Sequence, residues 1–137
     1  MIGAPATSET SMRPDPVRSL AAIFLLLAPT FAAAALENKW RLQFSGNAES
    51  DGVLVLAIDP WGRPPLLVRI PILAGTSENG VARAVRDALR EAVGEDYRVE
   101  LDDGEDVLVK RRLFRRRFDI DVEQDTVRGV RVNPDQE

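Results

Sequence analysis

One segment of this chain repeats its apolar residues at helical period, and every other patterned segment repeats them at period two. In "TSENGVARAVRDALREAVG" the apolar positions are Val81, Ala84, Val85, Ala88, Leu89 and Ala92. That spacing predicts one helix over about 78–93, with a single apolar stripe. Thr76 or Ser77 is placed as N-cap, Glu78 suits the positive end of the dipole, and Gly94 sits at the C′ position. The many alanines on the stripe imply close packing on whatever lies beneath. Arg83, Arg86 and Arg90 line the opposite face with Asp87 and Glu91 among them, the composition of a solvated face.

Before the helix, "KWRLQFSG" alternates, with Trp40, Leu42 and Phe44 on one side and Arg41 and Gln43 on the other. "VLVLAI" (Val53 to Ile58) is apolar on both faces, which predicts a central strand. "DPWGRPP" then stops it, with Asp59, Pro60 and Gly62 at the i, i+1 and i+3 positions of a type I turn. "LLVRIPIL" resumes as a strand whose Pro71 cannot donate to a ladder, predicting an edge or a bulge.

After the helix, "YRVEL" and "VLVKR" read as a hairpin through "DDGED". A three-residue loop Asp102–Asp103–Gly104 sets Val99 opposite Val107 and Tyr97 opposite Val109. A second hairpin follows if Leu113 to Arg116 form a loop. It sets Val109 against Ile120, Val107 against Val122, Lys110 against Asp119 and Leu108 against Asp121, with Arg112 and Arg117 at its mouth. A last strand, Thr126 to Val132, precedes a polar tail, "NPDQE". The order βββαββββ predicts an α+β domain: a mostly antiparallel sheet of six to seven strands with the helix on one face.

The N-terminus reads as an export leader. Arg13 and Arg18 form a positive region, Leu20 to Ala28 an apolar core, Pro29 a helix stop, and Ala32 to Ala35 a small-residue cleavage pattern. The expectation is a signal peptide over 1–35, cleaved after Ala34 or Ala35, with Met12 as a second candidate start. The mature domain is then 36–137, periplasmic or extracellular. A single N-terminal membrane anchor is the alternative, since 19–36 is barely long enough to span a bilayer. Glu9 and Asp15 balance Arg13 and Arg18, so the net charge of −4 belongs to the mature part. An acidic exported domain is poorly suited to general nucleic-acid binding.

The chain has no histidine and no cysteine. Triads using either residue, thiol chemistry and ordinary zinc or haem ligation are therefore excluded, and no disulfide can support the fold. Carboxylates alone could act as catalysts or hold a metal. Asp102, Asp103 and Asp106 are weak metal candidates, because their glycine comes third rather than sixth as in a calcium loop. No cofactor is expected. The main binding candidate is "KRRLFRRRF", where Arg112, Arg115, Arg116 and Arg117 surround Phe114. An arginine fork matches phosphate or carboxylate, and the aromatic adds apolar contact. Trp61 is a second contact candidate, or a lid folded back over the core.

Residues 68–109 resemble a module of flagellar filament and phage virion-type proteins: a strand ending in "GTS", an Ala-rich "VARAVRDAL" helix and a Gly-turned hairpin. The helix followed by strands is also similar to small exported PepSY-type domains. The resemblance implies a structural or adhesion-like role without catalysis, and no functional residue carries over. The expectation is an exported, non-enzymatic module that meets an envelope or extracellular protein, a lipid headgroup or a polysaccharide. The alternatives are a small carboxylate-dependent hydrolase, or an anion or nucleic-acid binder using the Arg-rich tip.

Overall fold

A computed structural model describes residue 3 and residues 38–137. The leader expected over 1–35 lies, apart from residue 3, outside the described residues. No helix among the described residues is long and apolar enough to cross a membrane. The elements are β1 (Lys39–Ser45), β2 (Gly52–Pro60), β3 (Leu66–Ile72), α1 (Glu78–Val93), β4 (Tyr97–Asp102), β5 (Asp106–Arg111), β6 (Phe118–Asp125) and β7 (Arg131–Gln136). The domain is α+β, with seven strands and one helix in the order the periodicities predict.

The strands form two antiparallel sheets rather than one. The first has the order β4-β5-β1-β7 and the second β3-β2-β6. Width explains the difference. Seven strands at about 4.8 Å spacing make a layer of roughly 34 Å, and a helix of about 10–12 Å diameter covers only two or three of them. The remaining apolar faces cover one another. Leu42 and Val107 of the first sheet share a core with Leu54, Leu56, Ile58 and Ile120 of the second, all fully buried. The helix packs mainly against β3 and β4, an edge strand of each sheet. Its buried stripe is Val81, Ala82, Val85, Leu89 and Val93.

Local signals place the helix ends. Ser77 Oγ accepts from the Gly80 N–H, and the neighbouring Asn47 Oδ1 accepts from the Glu78 N–H. Gly94 ends the helix in a right-handed conformation (φ −62°), not the left-handed one expected of a C′ glycine; its N–H still reaches the Arg90 carbonyl.

Three pairings depart from expectation. In the β4–β5 hairpin Val99 faces Val109 and Leu101 faces Val107, a shift of two residues that keeps every side chain on its face. This register matches Leu101 with an apolar partner, where the expected one would set it against Glu105. The second hairpin does not form. β5 pairs with β4 and β1, while β6 pairs with β2 in the other sheet, so Lys110 faces Lys39 and Asp119 faces Asp59. The last strand begins at Arg131 and takes in the supposed polar tail, with Pro134 opposite Leu42. Pro71 and Pro134 both lie on edge strands, where a missing donor leaves no central ladder broken.

The outward face of the first sheet is charged and internally matched. Arg41, at the centre of β1, donates from Nη1 to Asp102 (2.8 Å) and Asp106 (3.0 Å) and from Nε to Glu137 (2.6 Å). Glu137 also pairs with Lys39, and Lys110 pairs with Glu100. Hydrogen bonds from Lys39 and Arg41 hold the Glu137 carboxyl below the usual range, and Lys110 does the same to Glu100. A lowered carboxyl stabilises the fold above its unfolded pKa, and that contribution is lost as pH falls through the folded value. Glu105 has the opposite sign, because its hydrogen bond with Glu78 raises it.

Two tests follow from these contacts. The urea midpoint is expected to fall as pH drops below about 4, and to fall less in Glu137→Gln; parallel curves would remove the ladder from the account. Gly46 and Gly129 (both φ +84°) bring the β1–β2 and β6–β7 loops together, and a Cβ on Gly129 would stand 2.4 Å from the Asn47 carbonyl oxygen. Gly129→Ala is expected to lower stability by roughly 2–4 kcal/mol in urea melts, from left-handed strain and overlap together.

Candidate functional site

The β2–β3 loop and the β5–β6 crossing come from distant parts of the chain and meet at one end of the domain. β2 runs through Pro60, and the turn closes one residue later than the composition suggests. The Arg63 N–H donates to the Pro60 carbonyl at 3.0 Å, with Gly62 at φ +74°. A left-handed third residue is what a type II turn requires, and glycine takes it without strain. The turn presents Trp61 outward at 56% exposure, so the ring is no lid over the core.

The crossing has a turn of the same form. The Arg115 N–H donates to the Arg112 carbonyl at 3.1 Å, and Phe114 occupies the left-handed position at φ +64°. Such a conformation costs a bulky residue about 1–3 kcal/mol. Leu113 is 86% exposed and Phe114 fully exposed.

The two turns are joined directly. The Trp61 N–H donates to the Arg117 carbonyl at 2.9 Å, and the Arg116 guanidinium to the Trp61 carbonyl at 3.2 Å. The Arg117 guanidinium lies over the Trp61 ring, 5.4 Å from its centroid, a contact worth about 0.5–1 kcal/mol at an exposed site. The indole N–H points to Asp119 at 3.4 Å.

The arginines of the tip are not equivalent. Arg112 donates to the Gly94 carbonyl at 3.0 Å, where a cation complements the negative end of α1. Arg115 pairs with Asp96 at 3.2 Å; both are about half exposed, which limits the pair to about 1 kcal/mol at most. Among the described residues, the Arg116 guanidinium meets the Trp61 carbonyl and the Arg117 guanidinium the Trp61 ring. Arg63, which composition did not single out, has no carboxylate on its guanidinium among the described residues. Arg63, Arg115 and Arg116 wall a cleft of about 140 Å³ with Asp96, Tyr97 and Phe114. Burial, with Asp96 beside it, pushes the Tyr97 hydroxyl up, against the pull of Arg63 and Arg116. It therefore stays protonated at neutral pH and can donate.

The base beneath is buried. Tyr97 packs on the fully buried Phe118, with ring centroids 4.1 Å apart. Asn38, 2% exposed, binds both flanks of the crossing: its Oδ1 accepts from the Phe118 N–H at 2.7 Å and its carbonyl from the Arg111 N–H at 3.0 Å. Trp40 Nε1–H donates to the Phe118 carbonyl at 3.1 Å. Asn38, Arg63 and Tyr97 escaped the sequence reading because no local pattern links them to the Arg-rich stretch.

The acidic candidates are elsewhere. Asp102 and Asp106 converge on Arg41, and Asp103 lies in the β4–β5 loop at φ +50°. Among the described residues no group of three acidic side chains is placed to hold a metal ion. In the helix stripe, Arg86 is paired with Asp87 and Arg90 donates to the Val99 carbonyl.

Asn38→Ala leaves the Phe118 N–H without its partner in a buried place, at an expected cost of about 1–3 kcal/mol. Faster hydrogen exchange at the Phe118 amide would report it; unchanged exchange would show that the base does not depend on this bond.

No protein-family model, curated protein or solved structure matches this chain.

Proposed function

We propose that the protein is an exported, non-enzymatic module that binds an anionic partner of the cell envelope or surface through the paired turns around Trp61 and Phe114. The observation that carries this reading is the convergence of Arg63, Arg115 and Arg116 on one cleft, beside uncovered Trp61, Leu113 and Phe114. In an acidic chain, these guanidinia are balanced by a single cleft carboxylate, Asp96. A guanidinium held by a carbonyl keeps free N–H groups for phosphate or carboxylate.

The hydrolase reading has one feature in its favour, a wider groove between the end of α1 and β4 that carries Glu91, Glu95 and Glu100. Carboxylate catalysis needs an acid raised to hold its proton. Glu100 is shifted the other way, held down by Lys110. The geometry supports binding better than proton transfer.

The test is elution from an immobilised sulfated polysaccharide along a salt gradient. A variant with Arg63, Arg115, Arg116 and Arg117 changed to Ser is expected to elute well before the wild type. A control with Arg69, Arg83, Arg128 and Arg131 changed to Ser carries the same net charge and should elute near the wild type. Co-elution of the two variants would end the proposal.

A further inference from the structure

We propose that the paired turns dock on an anionic lipid bilayer, with Leu113 and Phe114 entering the acyl boundary and Arg63, Arg115 and Arg116 holding lipid phosphates. This rests on the anion-binding reading above and adds the identity of the partner. Two observations support it.

The first is the apex. Leu113 and Phe114 are adjacent, almost wholly solvated, and the second is in a left-handed conformation that the neighbouring turn assigns to glycine. Two apolar side chains on a single turn are too small a patch for the core of a protein interface, which needs about 1,000 Å² or more in all. A fluid bilayer needs no complementary pocket. It accepts an apolar tip of this size directly.

The second is the collar. Arg63, Arg115 and Arg116 share with Phe114 a cleft of about 140 Å³, room enough for a phosphate. Basic residues beside an inserting apolar tip are the usual pairing for an anionic leaflet.

The absence of cysteine makes the test specific, since Phe114→Cys offers a single site for a polarity-sensitive fluorophore in the full chain. The control label is at Leu73→Cys, an exposed residue beside the start of α1. The vesicles are phosphatidylcholine, alone or mixed with phosphatidylglycerol. The label at 114 is expected to shift to the blue and brighten several-fold on the mixed vesicles only, and the label at 73 to stay unchanged. Arg115→Ser with Arg116→Ser should weaken partition about thirtyfold, the loss expected from two charges near an anionic surface.

No response at 114, or an equal response at 73, would overturn the proposal; the equal response would mean adsorption through the leader. Loss of vesicle binding in millimolar inorganic phosphate, with no spectral shift at 114 at any lipid concentration, would assign a free-anion site and overturn it too. In each of these cases the polysaccharide column still decides the broader anion-binding reading by itself.

Discussion

One buried residue, Asn38, ties both ends of the crossing between the two sheets. Asn38 accepts a hydrogen bond from β6 through its side chain and one from the end of β5 through its carbonyl. These strands belong to different sheets, so a single residue holds the crossing 112–117 at both feet. A buried polar group must be satisfied, and here satisfying it also fixes where the chain changes sheets. Phe118, fully buried under Tyr97, adds the apolar half of the same joint. The position of the arginine-rich turn follows from this anchoring, because six residues tied at both ends have little freedom of placement.

Alternation assigns a face to a strand but does not name its neighbour, and that limit accounts for what could be read from the chain. Strands and helix were legible wherever apolar spacing was clean, as at Leu42 and Phe44 or along Val81, Val85 and Leu89. Ile120 faces the core whether β6 pairs with β5 or with β2, so its pattern is the same in both arrangements. The local hairpin also looked favourable because Lys110 would have met Asp119. Non-local pairing prevails: β2, apolar on both faces, takes a strand on each side, and β1 takes β5 and β7. The end of β7 was hidden by its polar residues, which an edge strand tolerates on its outward face.

The site was half legible for a related reason. Trp61 and the arginine stretch each stood out by residue type, yet nothing local indicated that residues more than fifty positions apart would touch. Their meeting is a consequence of β2 pairing with β6, which sets Pro60 opposite Phe118 and leaves the two flanking turns side by side. Arg112, grouped with its neighbours by composition, is drawn away by the end of α1. Arg63, with no charge run around it, joins the cleft through a turn.

The placement of arginine shows how an acidic domain can still present a positive end. On the outer face of the first sheet, Arg41 is surrounded by Asp102, Asp106 and Glu137, so its charge is spent within the fold. At the paired turns, Arg116 and Arg117 are held by a carbonyl oxygen and an indole ring, neither of which cancels a unit charge. Fields from exposed charges fade over about 8–10 Å in physiological salt. A partner at the turns therefore senses the local guanidinia and not the net charge of −4. Local pairing, and not the net charge, thus sets the field at this end of the domain.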